Sequence, residues 1–118
     1  MRQLLPVFLA VLALSAGDAS AHAKLANATP AAGATVKTGF TNLELTFSEA
    51  VEPALSVIDV VDGQGQTVLS SKGQAVCAEA TCKMVLPPLT AGDFAVKYHV
   101  LSVDGHVVEG SYDFHVAD

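Results

Sequence analysis

The chain has 118 residues, a formal net charge of −6 at pH 7, two cysteines and no tryptophan. This length predicts one small domain with a single core. The excess of acidic residues argues against binding to nucleic acid or to an anionic membrane surface. We therefore expect a small domain whose field attracts cations.

The N-terminal segment has the composition of a secretory signal. Arg2 precedes an apolar run, residues 4–16, and the triplet ending at Ala21 has small residues where a signal peptidase cleaves. The run is short for a membrane span, which disfavours the alternative of an uncleaved anchor. We predict a signal peptide over residues 1–21, cleavage after Ala21, and an exported mature domain, residues 22–118, that does not insert into the membrane.

Cleavage at this position would make His22 the first residue of the mature chain. A free N-terminal histidine offers a metal ion two nitrogens, its α-amine and its ring Nδ1. The two nitrogens close a six-membered chelate ring with the ion. We therefore expect His22 to supply half of a metal site once the signal is removed.

The mature chain reads as short strands separated by turns. Period-two alternation or runs of Val and Ile predict strands at residues 43–47, 55–61, 67–69, 94–101 and 111–116. About seven short strands in all predict an all-β, immunoglobulin-like fold, either an antiparallel sandwich or a Greek-key barrel. The alternation places four aromatic residues in the core, Phe47, Phe94, Tyr98 and Phe114. It places His99 and His115 on exposed faces.

Cys77 and Cys82 lie in a segment with the pattern of a hairpin and a short loop. An even cysteine count in an exported chain predicts one disulfide. The alternative is a dithiol site for a soft metal. It is disfavoured because an oxidising compartment removes thiolates and because the spacing is not that of a zinc site.

Asp104-Gly105-His106 is a turn-like triplet between two predicted strands. Residues two apart on an extended chain point to the same side, so Asp104 and His106 can converge on one ion. Taken alone, the triplet is also a common hairpin turn followed by an exposed histidine. With His22 it completes a set of three nitrogens and one oxygen, which suits Cu(II) and has Zn(II) as its rival.

Five segments carry a family resemblance by their order and spacing. They are HAKL from His22, ATPAAG from Ala28, LTFSE from Leu45, LTAGDF from Leu89 and SVDGHVVEGS from Ser102. Together they resemble the CopC family of periplasmic copper-binding, copper-resistance proteins. The resemblance covers essentially the whole mature chain.

The resemblance implies a Greek-key β-barrel of immunoglobulin-like character in the periplasm. It implies a Cu(II) site formed by His22, Asp104 and His106, with Glu49 as a weak axial ligand or a neighbour of the site. A solvated loop carboxylate is the alternative for Glu49. It also implies an inner-membrane copper transporter as partner. The chain departs from methionine-rich members, because Met84 is the only methionine of the mature chain, and we expect it to bind Cu(II) only.

The function predicted from these residues is that of a Cu(II) carrier or buffer in copper resistance or homeostasis, and not of an enzyme. One alternative is a metal-free immunoglobulin-like interaction domain. Another is a copper monooxygenase with a histidine brace. The second is disfavoured because the chain has few aromatic residues for a glycan-binding face, and because Asp104 would occupy a position that oxygen chemistry needs open.

Overall fold

The described part of the chain is built almost entirely from β-strands. The computed structural model describes residues 24–72 and 76–118, so the predicted signal segment and His22 lie outside the described residues. Within these ranges the strands are β1 (Leu25–Thr29), β2 (Thr35–Lys37), β3 (Asn42–Phe47), β4 (Val57–Asp62), β5 (Thr67–Ser70), β6 (Val76–Ala78), β7 (Thr81–Val85), β8 (Gly92–Leu101) and β9 (Val107–Ala117). A 3₁₀ turn, Pro53–Leu55, precedes β4. No helix among the residues described could cross a membrane.

The strands form two sheets, with the orders β1-β3-β7-β6 and β2-β9-β8-β4-β5. The parallel pair is β2 with β9, and the other strand pairs of the described chain are antiparallel. The predicted all-β sandwich is confirmed. The barrel alternative is not, because the two sheets remain separate within the described ranges. The described chain has nine strands rather than about seven, because β1 and β2 lie outside the predicted strands. β2 spans three residues, too few to show alternation.

One apolar core lies between the sheets. β3 contributes Leu43, Leu45 and Phe47, each at most 2% exposed, while the residues between them are more exposed. Phe94 of β8 and Phe114 of β9 are also buried, and their ring centroids lie 5.7 Å apart. Burial of each such side chain contributes about 1.5–3 kcal/mol. The predicted core is confirmed for these three aromatic residues.

Tyr98 differs from the other predicted core aromatics because it is only half-buried. Its ring meets Phe47 edge-on, with centroids 5.6 Å apart. It stands opposite Gly110 in the β8–β9 pair. The missing side chain at Gly110 leaves the space that the tyrosine ring occupies, because a Cβ there would lie 2.5 Å from the Tyr98 hydroxyl oxygen.

The β6–β7 hairpin carries the predicted disulfide. Cys77 and Cys82 face each other in the antiparallel pair, with Cα atoms 3.9 Å apart, and their sulfurs are bonded. Cys82 is buried in the core. The disulfide prediction is therefore confirmed, and the dithiol alternative is not supported.

The outer face of the five-stranded sheet carries the two histidines that the alternation placed there. The side chains of His99 and His115 are 59% and 48% exposed, which confirms that prediction. His99 lies 3.8 Å from Glu109, measured from Nε2 to Oε1. His115 Nδ1 lies 2.7 Å from Asp93 Oδ1.

The two longest strands position the loop that bears Asp104 and His106. β8 and β9 pair from Gly92↔Val116 to Leu101↔Val107 and then open into residues 102–106. The segment after β3 is joined to this loop by a bridge between Val51 and Ser102. The N–H of Val103 also donates to Ala50 O at 2.9 Å. Long-range pairing thus holds two loops together at one end of the sandwich.

Candidate metal centre

The loop between β8 and β9 is a tight turn closed by backbone hydrogen bonds. The N–H of Ser102 donates to His106 O at 2.9 Å, and the N–H of Gly105 donates to Ser102 O at 2.9 Å. Gly105 has a φ of 93°, in the region where a side chain would be strained. Glycine therefore allows the chain to reverse between Asp104 and His106.

Asp104 and His106 meet on the outside of this turn. The Nδ1 atom of His106 lies 3.0 Å from Asp104 Oδ1, and the backbone N–H of His106 donates to the same oxygen at 3.2 Å. Their side chains remain 39% and 49% exposed. An imidazole and a carboxylate are thus held side by side within reach of solvent.

A buried hydroxyl lies beneath this pair. Ser102 is 1% exposed, and its Oγ donates a hydrogen bond to Asp104 Oδ1. The same Oγ accepts a hydrogen bond from the backbone N–H of His106 at 3.3 Å. The Asp104 carboxylate is consequently held from below by Ser102 and from the side by His106.

Glu49 approaches from the loop that follows β3. It is half-buried, and its side chain lies beside that of Asp104. The pKa of Asp104 lies well below its ordinary value, mainly because of the hydrogen bond from Ser102, and then because of those with the side chain and the backbone N–H of His106. Asp104 is therefore a carboxylate, ready to bind a cation, throughout the physiological pH range.

The start of the described chain is joined to the same end of the sandwich. The N–H of Lys24 donates to Ser48 Oγ at 2.9 Å, and the N–H of Ser48 donates to Lys24 O at 2.8 Å. These bonds hold the residue that precedes β1 next to the residue that precedes Glu49.

Two of the four predicted site residues, Asp104 and His106, are thus in direct contact. Glu49 lies beside Asp104, and His22 lies outside the described residues. No cluster of three or more His, Cys, Asp and Glu side chains within residues 24–72 and 76–118 is arranged to hold a metal ion. The role of these residues as ligands stays a prediction. The sequence reasoning missed Ser102, although the same two-residue spacing that joins Asp104 to His106 also joins Ser102 to Asp104.

Comparison with known proteins identifies the family. The model of the CopC domain matches residues 25–117. Copper resistance protein C of Xanthomonas campestris pv. juglandis is 30% identical over 117 residues, which cover 93% of this chain and 91% of that protein. Protein YobA of Escherichia coli K12 is 33% identical over 100 residues, 81% of this chain and 79% of that protein. The predicted CopC resemblance is confirmed.

Two solved structures share the fold. The crystal structure of CopC from Methylosinus trichosporium OB3b is 37% identical, with a TM-score of 0.75 over 80% of this chain and 93% of that one. The structure of PcoC, a methionine-rich copper resistance protein from Escherichia coli, is 24% identical, with a TM-score of 0.68 over 82% of this chain and 100% of that one. Membership of the CopC family confirms the prediction that the chain is not an enzyme.

Proposed function

Because the chain belongs to the CopC family, we propose that it is a periplasmic Cu(II)-binding protein that carries or buffers copper in copper resistance or homeostasis. The observation that supports this most directly is the pair formed by Asp104 and His106. The two side chains are joined at 3.0 Å on a turn that the sheets hold in place.

The separation within this pair fits two ligands of one ion. Two adjacent ligands of a tetragonal ion, each bonded at about 2.0 Å, lie about 2.8 Å apart. The distance of 3.0 Å between His106 Nδ1 and Asp104 Oδ1 is close to that value. An imidazole nitrogen and a carboxylate oxygen are donors that Cu(II) accepts, and Cu(II) has the highest affinity among the divalent ions of the first row.

His22 supplies the remaining donors in this proposal. Only one residue separates it from Lys24, and two residues of extended chain span about 7 Å. Lys24 is hydrogen-bonded to Ser48, the neighbour of Glu49. Chain length therefore keeps His22 within about 7 Å of Lys24, and cleavage after Ala21 provides its amine. Glu49, which lies beside Asp104, serves as a weak axial ligand or as a neighbour of the site.

The sulfur inventory favours Cu(II) over Cu(I). Thioethers and thiolates select Cu(I). Both cysteines are bonded to each other, and Met84, the only methionine after Met1, is partly buried against the core. The copper therefore stays with nitrogen and oxygen donors. We further propose that an inner-membrane copper transporter exchanges copper with this site after export.

The first experiment tests the N-terminal chelate. The complete chain is expressed for export, and Cu(II) is titrated into the processed protein and into a variant with one extra residue before His22. We expect the extension to weaken binding, because the α-amine of His22 is then part of a peptide bond and can no longer bind the ion together with the His22 ring. We also expect affinity to fall as the pH drops below about 8, because the N-terminal amine then gains a proton. Equal affinity of the two proteins would refute the chelate.

A matched pair of histidine variants tests the loop. The side chains of His106 and His115 are 49% and 48% exposed. In each, Nδ1 lies within hydrogen-bond distance of an aspartate, Asp104 for His106 and Asp93 for His115. His106→Ala should weaken Cu(II) binding by more than about 100-fold, since losing a group that only supports a ligand already weakens it about 10–100-fold. His115→Ala should leave the affinity unchanged. Similar losses in both variants would indicate nonspecific surface binding, and no copper band in the wild type would favour a metal-free interaction domain.

A further inference from the structure

We propose that the buried hydroxyl of Ser102 is a positioning group of the copper site, which orients both Asp104 and His106 before the metal binds. This inference rests on the proposed function, because it assigns a role within the proposed site. Ser102 itself does not bind the ion. It acts through the Asp104 side chain and through the backbone of His106.

The inference depends on one oxygen atom that contacts both ligand residues. Ser102 Oγ donates its proton to Asp104 Oδ1 and accepts the backbone N–H of His106 at 3.3 Å. A hydroxyl has one proton and two lone pairs, so both contacts can be made at once. Because Ser102 is only 1% exposed, water has little access to compete for either hydrogen bond.

The sheet fixes the direction of this hydroxyl. Ser102 forms a bridge with Val51, and its backbone is bonded to His106 O through its own N–H and to the N–H of Gly105 through its carbonyl. Next to it, Leu101 O accepts the N–H of Glu52 at 2.8 Å. The Cβ of Ser102 is therefore held by two segments that are far apart in the sequence, whereas Asp104 and His106 are held mainly by the turn.

Two opposite effects of the Ser102 hydrogen bond on copper affinity can be separated. The bond withdraws electron density from the Asp104 carboxylate, which weakens the carboxylate as a donor. It also restricts the rotamers of a side chain that is 39% exposed, so that less freedom is lost when copper binds. Partners of this kind change metal affinity by about 10–100-fold, and their removal generally weakens binding. We therefore infer that orientation is the larger effect.

The chain contains a matched control in Ser56. This serine is 0% exposed and lies at the same end of the sandwich. Its Oγ donates to Glu52 O at 2.7 Å and accepts the N–H of Leu101 at 3.0 Å, and both partners are backbone groups. Ser56→Ala therefore removes a buried hydroxyl beside Ser102 without removing a bond to Asp104 or His106.

The test uses the complete chain, exported and processed, in the wild type and in Ser102→Ala and Ser56→Ala. Cu(II) affinity is measured by competition with a chelator, the ligand field by electron paramagnetic resonance, and folding by thermal unfolding of the copper-free protein. We expect Ser102→Ala to weaken Cu(II) binding by about 10–100-fold and to change the copper spectrum. We expect Ser56→Ala to lower the melting temperature but to keep the wild-type affinity and spectrum.

A second pair of variants covers the case in which Ser102→Ala does not fold. Ser102→Thr keeps the hydroxyl, and Ser102→Val has nearly the same shape as the threonine variant but lacks the hydroxyl. Both residues suit an extended strand position. We expect the threonine variant to bind Cu(II) within about threefold of the wild type and the valine variant at least about tenfold more weakly.

The outcomes separate this inference from the proposed function. If the wild type does not bind Cu(II), both are refuted. If the wild type binds and the alanine and valine variants bind equally well with the same spectrum, only the role of Ser102 is refuted. Equal weakening by Ser102→Ala and Ser56→Ala would also refute it, because the loss would then follow stability. Tighter binding by Ser102→Ala would also refute the positioning role, because the withdrawal of electron density from Asp104 would then be the larger effect.

Discussion

Replacement of Gly110 by alanine should destabilise the domain because Tyr98 occupies the space that a methyl group would need. Gly110 lies in the extended backbone of β9, opposite Tyr98 of β8. An added Cβ would lie 2.5 Å from the Tyr98 hydroxyl oxygen and 2.9 Å from its Cζ. The Tyr98 ring cannot easily move aside, because it also packs against the ring of Phe47.

The expected loss is the difference between two effects. Inserting a methyl group into a packed site costs about 1–3 kcal/mol, whereas replacing glycine by alanine in extended backbone recovers about 0.4–1 kcal/mol through the unfolded chain. The net free energy of unfolding should fall by about 1–2 kcal/mol, which lowers the melting temperature by about 5–15 °C in a domain of this size. Calorimetry of the copper-free protein measures this shift.

Gly63 and Tyr98 provide the controls. At Gly63 a Cβ would meet its nearest neighbour, Asp93 O, at 3.7 Å, an ordinary contact. Gly63→Ala should therefore be neutral or slightly stabilising. In a Tyr98→Leu background the crowded atoms are absent, so Gly110→Ala should no longer destabilise. A Gly110→Ala protein as stable as the wild type, or an equal loss in both backgrounds, would refute the packing argument.

Three further predictions concern the disulfide, the core and the charged turn. Replacing both Cys77 and Cys82 by serine should lower the free energy of unfolding by about 2 kcal/mol through the loss of a short loop constraint, and a melting temperature unchanged from the wild type would contradict this. Leu45→Ala, at a position that is 0% exposed, should cost about 2–5 kcal/mol in urea unfolding; a smaller loss would mean that the site collapses. Because hydrogen bonds, led by that of Ser102, lower the pKa of Asp104 in the folded state, its contribution to stability is present above the ordinary pKa of about 3.9 and is lost as the pH falls below it. Asp104→Asn should therefore reduce the acid sensitivity of the urea midpoint, and identical pH profiles would count against this explanation.

The local parts of the candidate site could be predicted from the sequence. The two-residue spacing of Asp104 and His106 places both on one side of a turn, and the glycine between them allows the turn, so their proximity requires no distant contact. The buried Phe47, Phe94 and Phe114 follow from period-two alternation in the same way. The disulfide follows from a hairpin whose two cysteines are only five positions apart.

Contacts between distant segments could not be predicted in this way. β2 pairs in parallel with the C-terminal strand, and its three residues carry no periodic signal of their own. Glu49 was proposed for the site only through the family resemblance. Its position beside Asp104 depends on the bridge between Val51 and Ser102, which joins segments about fifty residues apart.

Alternation, turn residues and the spacing of neighbouring side chains are properties of adjacent positions. For this protein they predict most of the strands, most of the core, the disulfide and the turn of Asp104 and His106. The pairing of segments remote in sequence depends instead on how the two sheets pack around a shared core. That packing brings Glu49 to Asp104 and buries Ser102 beneath the turn. Such pairing is governed by the entropy cost of closing the intervening loops and by the apolar surface that becomes buried. Both quantities depend on the whole fold and cannot be read from a short stretch of sequence.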